Sequence, residues 1–239
     1  MVFVAVAVGS FVKGVTGSGL PLIGVPFMAS FLGVEHAVVV MLLPSMIANG
    51  WIMWANREEA PQARHLTPFF VLGAAGATAG TWALVSFDDD LLSLALAAVI
   101  GAYAITFLAK PDLQFSRTMT DRLNAPVGLA AGLLQGATGV SGPVVVTYLH
   151  GFRMDRDVYL FSITSIYASF GAIQIIALGL LGSITMERLG ESVLTLIPMA
   201  VALPLGMAIS KRVSHRTFEY MVLALLVVVG LKLVWNGLS

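Results

Sequence analysis

Apolar positions recur along the chain in stretches of helix-spanning length, and the polar connections between them are too short to hold a soluble domain. Six stretches, at 36–54, 66–86, 91–109, 158–181, 190–210 and 217–237, reach the roughly 20 residues that an α-helix needs to cross a hydrocarbon core. Two regions differ. Near 1–33 and 123–152 a short apolar run is interrupted by a Gly/Ser/Thr cluster and then resumes, and each half is too short to cross alone. Such a segment either crosses once with an unwound middle or dips to mid-depth and returns as a re-entrant hairpin.

The placement of basic residues separates these alternatives, because Lys and Arg collect in cytoplasmic loops. With two re-entrant hairpins, Arg57, Arg64, Lys110, Arg117, Arg122, Arg153, Arg156, Lys211, Arg212 and Arg216 share one face and only Arg188 lies in a loop of the other. With two crossing segments the same residues divide six against five, which is no bias. The re-entrant arrangement is therefore expected, with the basic face cytoplasmic and both termini outside, in the cell's inner (plasma) membrane.

A shift of 122 positions lays GVTGSGLP, Gly14–Pro21, on GATGVSGP, Gly136–Pro143, and lays Asp89 and Asp90 on Lys211 and Arg212. Equivalent loops of opposite charge are what inverted halves produce, and a hairpin plus three crossings is an odd number that forces the inversion. The expected fold is an all-α integral membrane protein of two inverted repeats, 1–122 and 123–239, each a re-entrant broken-helix hairpin followed by three transmembrane helices.

Composition agrees: 58% of residues are hydrophobic, 11% are charged and mean hydropathy is +0.91, far from the values of a soluble domain. Thirteen basic residues balance thirteen acidic ones, so no basic excess points to nucleic acid. Cysteine is absent, which excludes disulfides, zinc-thiolate sites, iron–sulfur clusters and thiol nucleophiles. No cofactor and no metal is expected. The N-terminus, MVFVAVAVGSFV, lacks a basic n-region and a small-x-small cleavage site and is read as structure.

Backbone that is not helical is tolerated inside a bilayer only where protein covers it or where it lines a polar cavity. The two breaks should therefore meet at a cavity, where the half-helices beginning near Leu20 and Pro143 present unpaired N–H groups and positive dipole ends that favour an anion. Gly14, Gly17 and Gly19, with Gly136, Gly139 and Gly142, permit positive φ and close approach, although tight helix packing is the plainer role for such glycines. Gly73, Gly76 and Gly80 are read as packing. Pro21 and Pro143 suit a first helical turn, and Thr16, Ser18, Thr138 and Ser141 offer hydroxyl donors.

Lys13 beside the first break either supplies a fixed charge to the guest or snorkels to the surface, and the repeat sets neutral Gln135 opposite it. Ser45 and Asn49, with Ser165, Tyr167 and Gln174, either line the cavity or serve as hydrogen-bond partners between helices. Pro44 should kink its helix, His36 and His150 lie near segment ends, and Trp51, Trp54, Trp82 and Trp235 fit an aromatic belt. Every Asp and Glu falls in a connection or at a span end, so no buried carboxylate can relay protons. Export of an anion would run with an interior-negative potential, whereas uptake would need a coupling ion.

The two Gly-rich segments, KGVTGSGLPLIGVP and QGATGVSGPVVV, each opening one half of the chain, resemble those of the TauE/SafE sulfite exporters, also called toluene sulfonate uptake permeases. The resemblance covers nearly the whole chain. It implies a permease for a small sulfur-containing anion such as sulfite or a short organosulfonate, with lipid around it; a homo-oligomer is compatible with it, and the particular anion is left open. A second class competes, because Gly139-Val140-Ser141-Gly142 also matches the GxSG of rhomboid intramembrane proteases. That chemistry needs a histidine base facing Ser141, and neither His150 nor His215 is well placed by sequence.

Overall fold

A segment that is apolar all round can sit in lipid only if its own helical ladder pairs every backbone N–H and C=O. In the computed structural model, which describes residues 2–109, 117–152, 154–210 and 215–238, the apolar stretches are helices, and no strand occurs among the described residues. In chain order they are α1 (Val2–Thr16), α2 (Leu20–Leu32), α3 (Val34–Ala55), a 3-10 stretch Arg57–Leu66, α4 (Thr67–Ser86), α5 (Asp89–Ala109), α6 (Arg117–Thr138), α7 (Gly142–His150), α8 (Arg156–Leu180), α9 (Met186–Ile209) and α10 (His215–Leu238). All six uninterrupted stretches are helices, and α3, α4, α8 and α9 are long and apolar enough to cross a membrane. Lys110, Arg153, Lys211 and Arg212 of the basic face lie outside the described residues.

Both interrupted regions are broken where the glycines predicted it, at residues 17–19 and 139–141. At the first break the chain turns back, so that Gly19 lies against Val12 and Leu20 against Gly9, well before the end of α1. The second broken region differs in extent from the expectation. Its leading helix is already formed at Arg117, inside the charged connection, and α7 ends after nine residues, whereas α2 runs for thirteen.

The packing repeats under the same shift as the sequence. Helices α1 and α6 end at Thr16 and Thr138, α2 and α7 start at Leu20 and Gly142, and α3 and α8 start at Val34 and Arg156. Accordingly α1 packs on α9 and α6 on α4, α3 on α9 and α8 on α4, and α2 beside α10 and α7 beside α5, while α3 meets α8 and α5 meets α10. The α4–α6 contact is the closest kind two helices can make. Gly73, Gly76 and Gly80 face Gly128, Gly132 and Gly136, and a β-carbon at Gly76 or Gly132 would strike the backbone of the partner helix. These glycines have the packing role expected of the first three.

One buried apolar cluster mixes both ends of the chain, with Val6, Leu20, Met41, Leu160, Leu203 and Leu226 among its members. A second holds stacked rings, Phe69 against Tyr148 at 5.3 Å and against Phe170 at 6.0 Å between centroids. Trp51, Trp54, Trp82 and Trp235 are exposed, as an aromatic belt requires.

Candidate functional site: a cavity between two broken helices

Each break is stabilised by the same hydrogen bonds. Helix α1 closes with the Gly17 amide donating to the Lys13 carbonyl at 2.7 Å, and α6 closes with the Gly139 amide donating to the Gln135 carbonyl at 2.8 Å. Gly17 then takes φ 78° and Gly139 φ 69°, the left-handed region that a β-carbon disfavours. One residue further, the freed amides of Ser18 and Val140 donate to the hydroxyls of Thr16 and Thr138, at 3.1 and 3.3 Å. Each threonine hydroxyl in turn donates back to its helix, to the Val12 carbonyl at 3.0 Å and the Leu134 carbonyl at 2.7 Å. A buried loop needs such pairing because an orphaned backbone group away from water is costly.

The side chain at the last turn completes each loop. Lys13 Nζ donates to the Gly17 carbonyl and Gln135 Nε2 to the Gly139 carbonyl, both at 3.2 Å. Lys13 is wholly buried, so it does not snorkel. Its ammonium lies 5.2 Å from the centre of the Tyr167 ring. Gln135 is held further: its Oε1 accepts from Ser141 Oγ at 2.8 Å, and Gln174 donates to the carbonyls of Gln135 and Gly136 at 3.0 and 2.9 Å.

The two loops meet. Ser18 Oγ and Tyr167 Oη are hydrogen-bonded at 3.0 Å, and a β-carbon at Gly142 would lie 3.2 Å from that serine oxygen and 3.4 Å from the tyrosine oxygen. Between them is a cavity of about 30 Å³. Its lining includes Ser18, Gly19 and Pro21 from the first break and Gln135, Gly139, Ser141 and Gly142 from the second; Ser45 and Asn49 line it from α3, and Tyr167 and Gln174 from α8. No side chain caps α2 or α7, and both carry proline in the first turn, where an N–H would lack an intrahelical partner. The first helical bonds run from Ile23 N to the Gly19 carbonyl and from Val144 and Val145 N to the Ser141 carbonyl, and Gly19, Ser141 and Gly142 at these helix starts line the space. Asn49 is 2% exposed and its Oδ1, like Ser45 Oγ, is buried without a hydrogen-bond partner.

Other residues singled out by sequence stand behind the lining. Lys13, Thr16, Gly17 and Thr138 build the loops but do not line the cavity. Gly14 and Gly136 are packing positions instead: a β-carbon at Gly14 would collide with α9 near Leu203, and one at Gly136 with α4 near Ala77. Pro143 lines a separate apolar crevice with Tyr103 and Tyr148. Ser165 is half-buried outside the cavity, with its hydroxyl oxygen buried and without a partner.

The sequence reading missed Leu22, Val25, Val38, Met41, Leu42, Met46, Val140 and Gly171. The α3 members were within reach, since 38, 41, 42, 45, 46 and 49 form one helical face through Ser45 and Asn49.

Chemically this is a binding site without a reaction centre. The Ser141 hydroxyl is bonded to the Gln135 amide oxygen, while His150 lies against the Tyr159 ring and His36 pairs with Glu191, so neither of these two histidines serves Ser141 as a base. The sequence matches the family model described as sulfite exporter TauE/SafE over residues 1–233. No curated protein and no solved structure matches the chain.

Proposed function

The chain belongs to the sulfite exporter TauE/SafE family, whose members are multi-pass membrane transporters and not enzymes, and from that premise we propose that it carries a small sulfur-containing anion, sulfite or a short organosulfonate, through the cavity between its two broken helices. The observation that carries the proposal is the convergence of the two loops on one partly open space, with uncapped helix starts and a buried lysine beside it. Uncapped amides and the positive ends of two helices favour a negative guest without any large rearrangement of charge. Lys13, Gly17, Thr16 and Thr138 then act from behind the lining, holding the loops that present those amides.

The halves 1–122 and 123–239 are proposed to be inverted repeats, with the broken segments re-entrant from opposite faces. Helix boundaries and packing partners that recur at a shift of 122 support this, as does the clustering of basic loop residues. The membrane is the inner (plasma) membrane, the termini lie outside the cytoplasm, and the basic loops face inward. A cavity of about 30 Å³ accommodates a water or two, so an oxyanion enters only when the loops part, as alternating access requires.

The test is flux in proteoliposomes loaded with sulfite, sulfate or a short sulfonate, with and without sodium and proton gradients. Saturable movement of at least one sulfur oxyanion is expected, reduced by at least about tenfold in Lys13→Ala. Absence of flux and of binding for every one of them overturns the proposal.

A further inference from the structure

We infer that the cavity selects its guest by net charge, accepting monoanions over neutral and dianionic molecules of the same shape, and that Lys13 sets this count. The inference presupposes that the cavity is the anion site of a carrier, and it adds which charge class the site takes.

It comes from the one difference in formal charge between two loops that share a hydrogen-bond pattern. In each, a side chain four residues before the left-handed glycine donates to that glycine's carbonyl at 3.2 Å. In the second loop the donor is the neutral amide of Gln135, whose own oxygen is occupied by Ser141. In the first it is the Lys13 amine, 0% exposed, with the Gly17 carbonyl at 3.2 Å and the face of Tyr167 at 5.2 Å beside it. None of the ion pairs among the described residues involves it: these join His36 to Glu191, Arg156 to Asp157 and Arg188 to Glu35.

A buried ammonium without a carboxylate is expensive unless something else supplies the countercharge, and an anion held beside it favours the charged form in return. Ser18 and Gly19, which directly follow the carbonyl that Lys13 holds, line the cavity. A guest of charge −1 therefore completes a neutral pair. A neutral guest leaves the ammonium uncompensated. A guest of charge −2 brings a second charge for which the second loop offers only an amide, and the partial charge at a helix start, about half a unit, does not replace a cation. Asn49, 2% exposed and with its Oδ1 unpartnered, lines the same space from α3, so the lining has polar capacity that no protein group uses.

Three molecules of closely similar shape separate the possibilities: methanesulfonamide, methanesulfonate and sulfate, which carry charges of 0, −1 and −2. Titrated calorimetrically into the purified full-length protein, methanesulfonate should bind at least about tenfold more tightly than either of the others. Lys13→Gln gives both loops the same neutral donor and should erase the preference for methanesulfonate over methanesulfonamide. Gln135→Lys gives both loops an ammonium and should shift the preference toward sulfate by about tenfold. Should that variant fail to fold through loss of its Gln174 contacts, the unmodified protein and Lys13→Gln still decide the matter. Sulfate binding as tightly as methanesulfonate, or a Lys13→Gln protein with an unchanged charge ranking, overturns charge selection while leaving the carrier in place. No binding of methanesulfonate, sulfate or sulfite overturns both.

Discussion

Gly139 shows how narrowly a single residue constrains this site. Its φ of 69° lies where a β-carbon is disfavoured, and that carbon would also come 3.0 Å from Val38 Cγ2. Gly139→Ala is therefore expected to lower stability by about 1–3 kcal/mol. Gly101→Ala, in α5 with nothing within 4 Å of an added β-carbon, should be neutral or stabilising by up to about 1 kcal/mol. Thermal unfolding of both variants in one detergent compares them, and equal midpoints would show that the loop is not held in this conformation. The sequence marked Gly139 and Gly17 correctly as positions needing unusual backbone, because glycines clustered at a break in an apolar run mark the point where the chain leaves the helix. It did not separate them from Gly14 and Gly136, which sit one turn away and serve helix packing. Spacing alone cannot tell a glycine needed for φ from one needed for lack of bulk. Lys13 was visible as a lysine out of place; that its ammonium holds a carbonyl of its own loop was not.

At the scale of elements, stability depends on how closely α4 approaches α6. In lipid there is little hydrophobic gain from bringing two helices together, so contact rests on small residues that let backbones touch. Gly132 faces the Gly73 carbonyl so closely that any side chain must push the helices apart. Gly132→Leu should cost at least about 3 kcal/mol and reduce the yield of monodisperse protein, whereas Gly179→Leu, on α8 with open space around it, should leave both unchanged. Size-exclusion profiles of the purified variants read this directly. Helix existence was legible throughout, since long apolar runs admit one solution in a membrane. Helix ends were less so: α6 is already helical at Arg117, ahead of the expected 123, because a polar helix can project beyond the lipid and hydropathy registers only the part inside it.

For the whole molecule, the two ends of the bundle are closed by different chemistry. Where α3 and α9 begin, Arg188 Nη1 donates to Glu35 Oε1 at 2.7 Å and His36 pairs with Glu191 at 2.5 Å, joining the two halves of the chain. The positions related to these four by the shift, Leu66, Phe69, Asp157 and Val158, form no such set of ion pairs; Phe69 lies instead in the ring stack with Tyr148 and Phe170. If the loops must part to admit a guest, one of these closures has to open in each half of the cycle. The ion pairs are partly exposed, so Arg188→Gln alone should change stability by less than about 1 kcal/mol. A covalent tie at the same place is a different matter. The chain has no cysteine, so Glu35→Cys/Arg188→Cys carries the only two thiols, and a short bismaleimide can bridge them. Bridging should reduce sulfite flux in proteoliposomes by at least about tenfold, while each single-cysteine variant treated in the same way keeps its flux. Full flux through the bridged protein would mean that α3 and α9 stay together through the cycle, and that the opening on this side lies elsewhere.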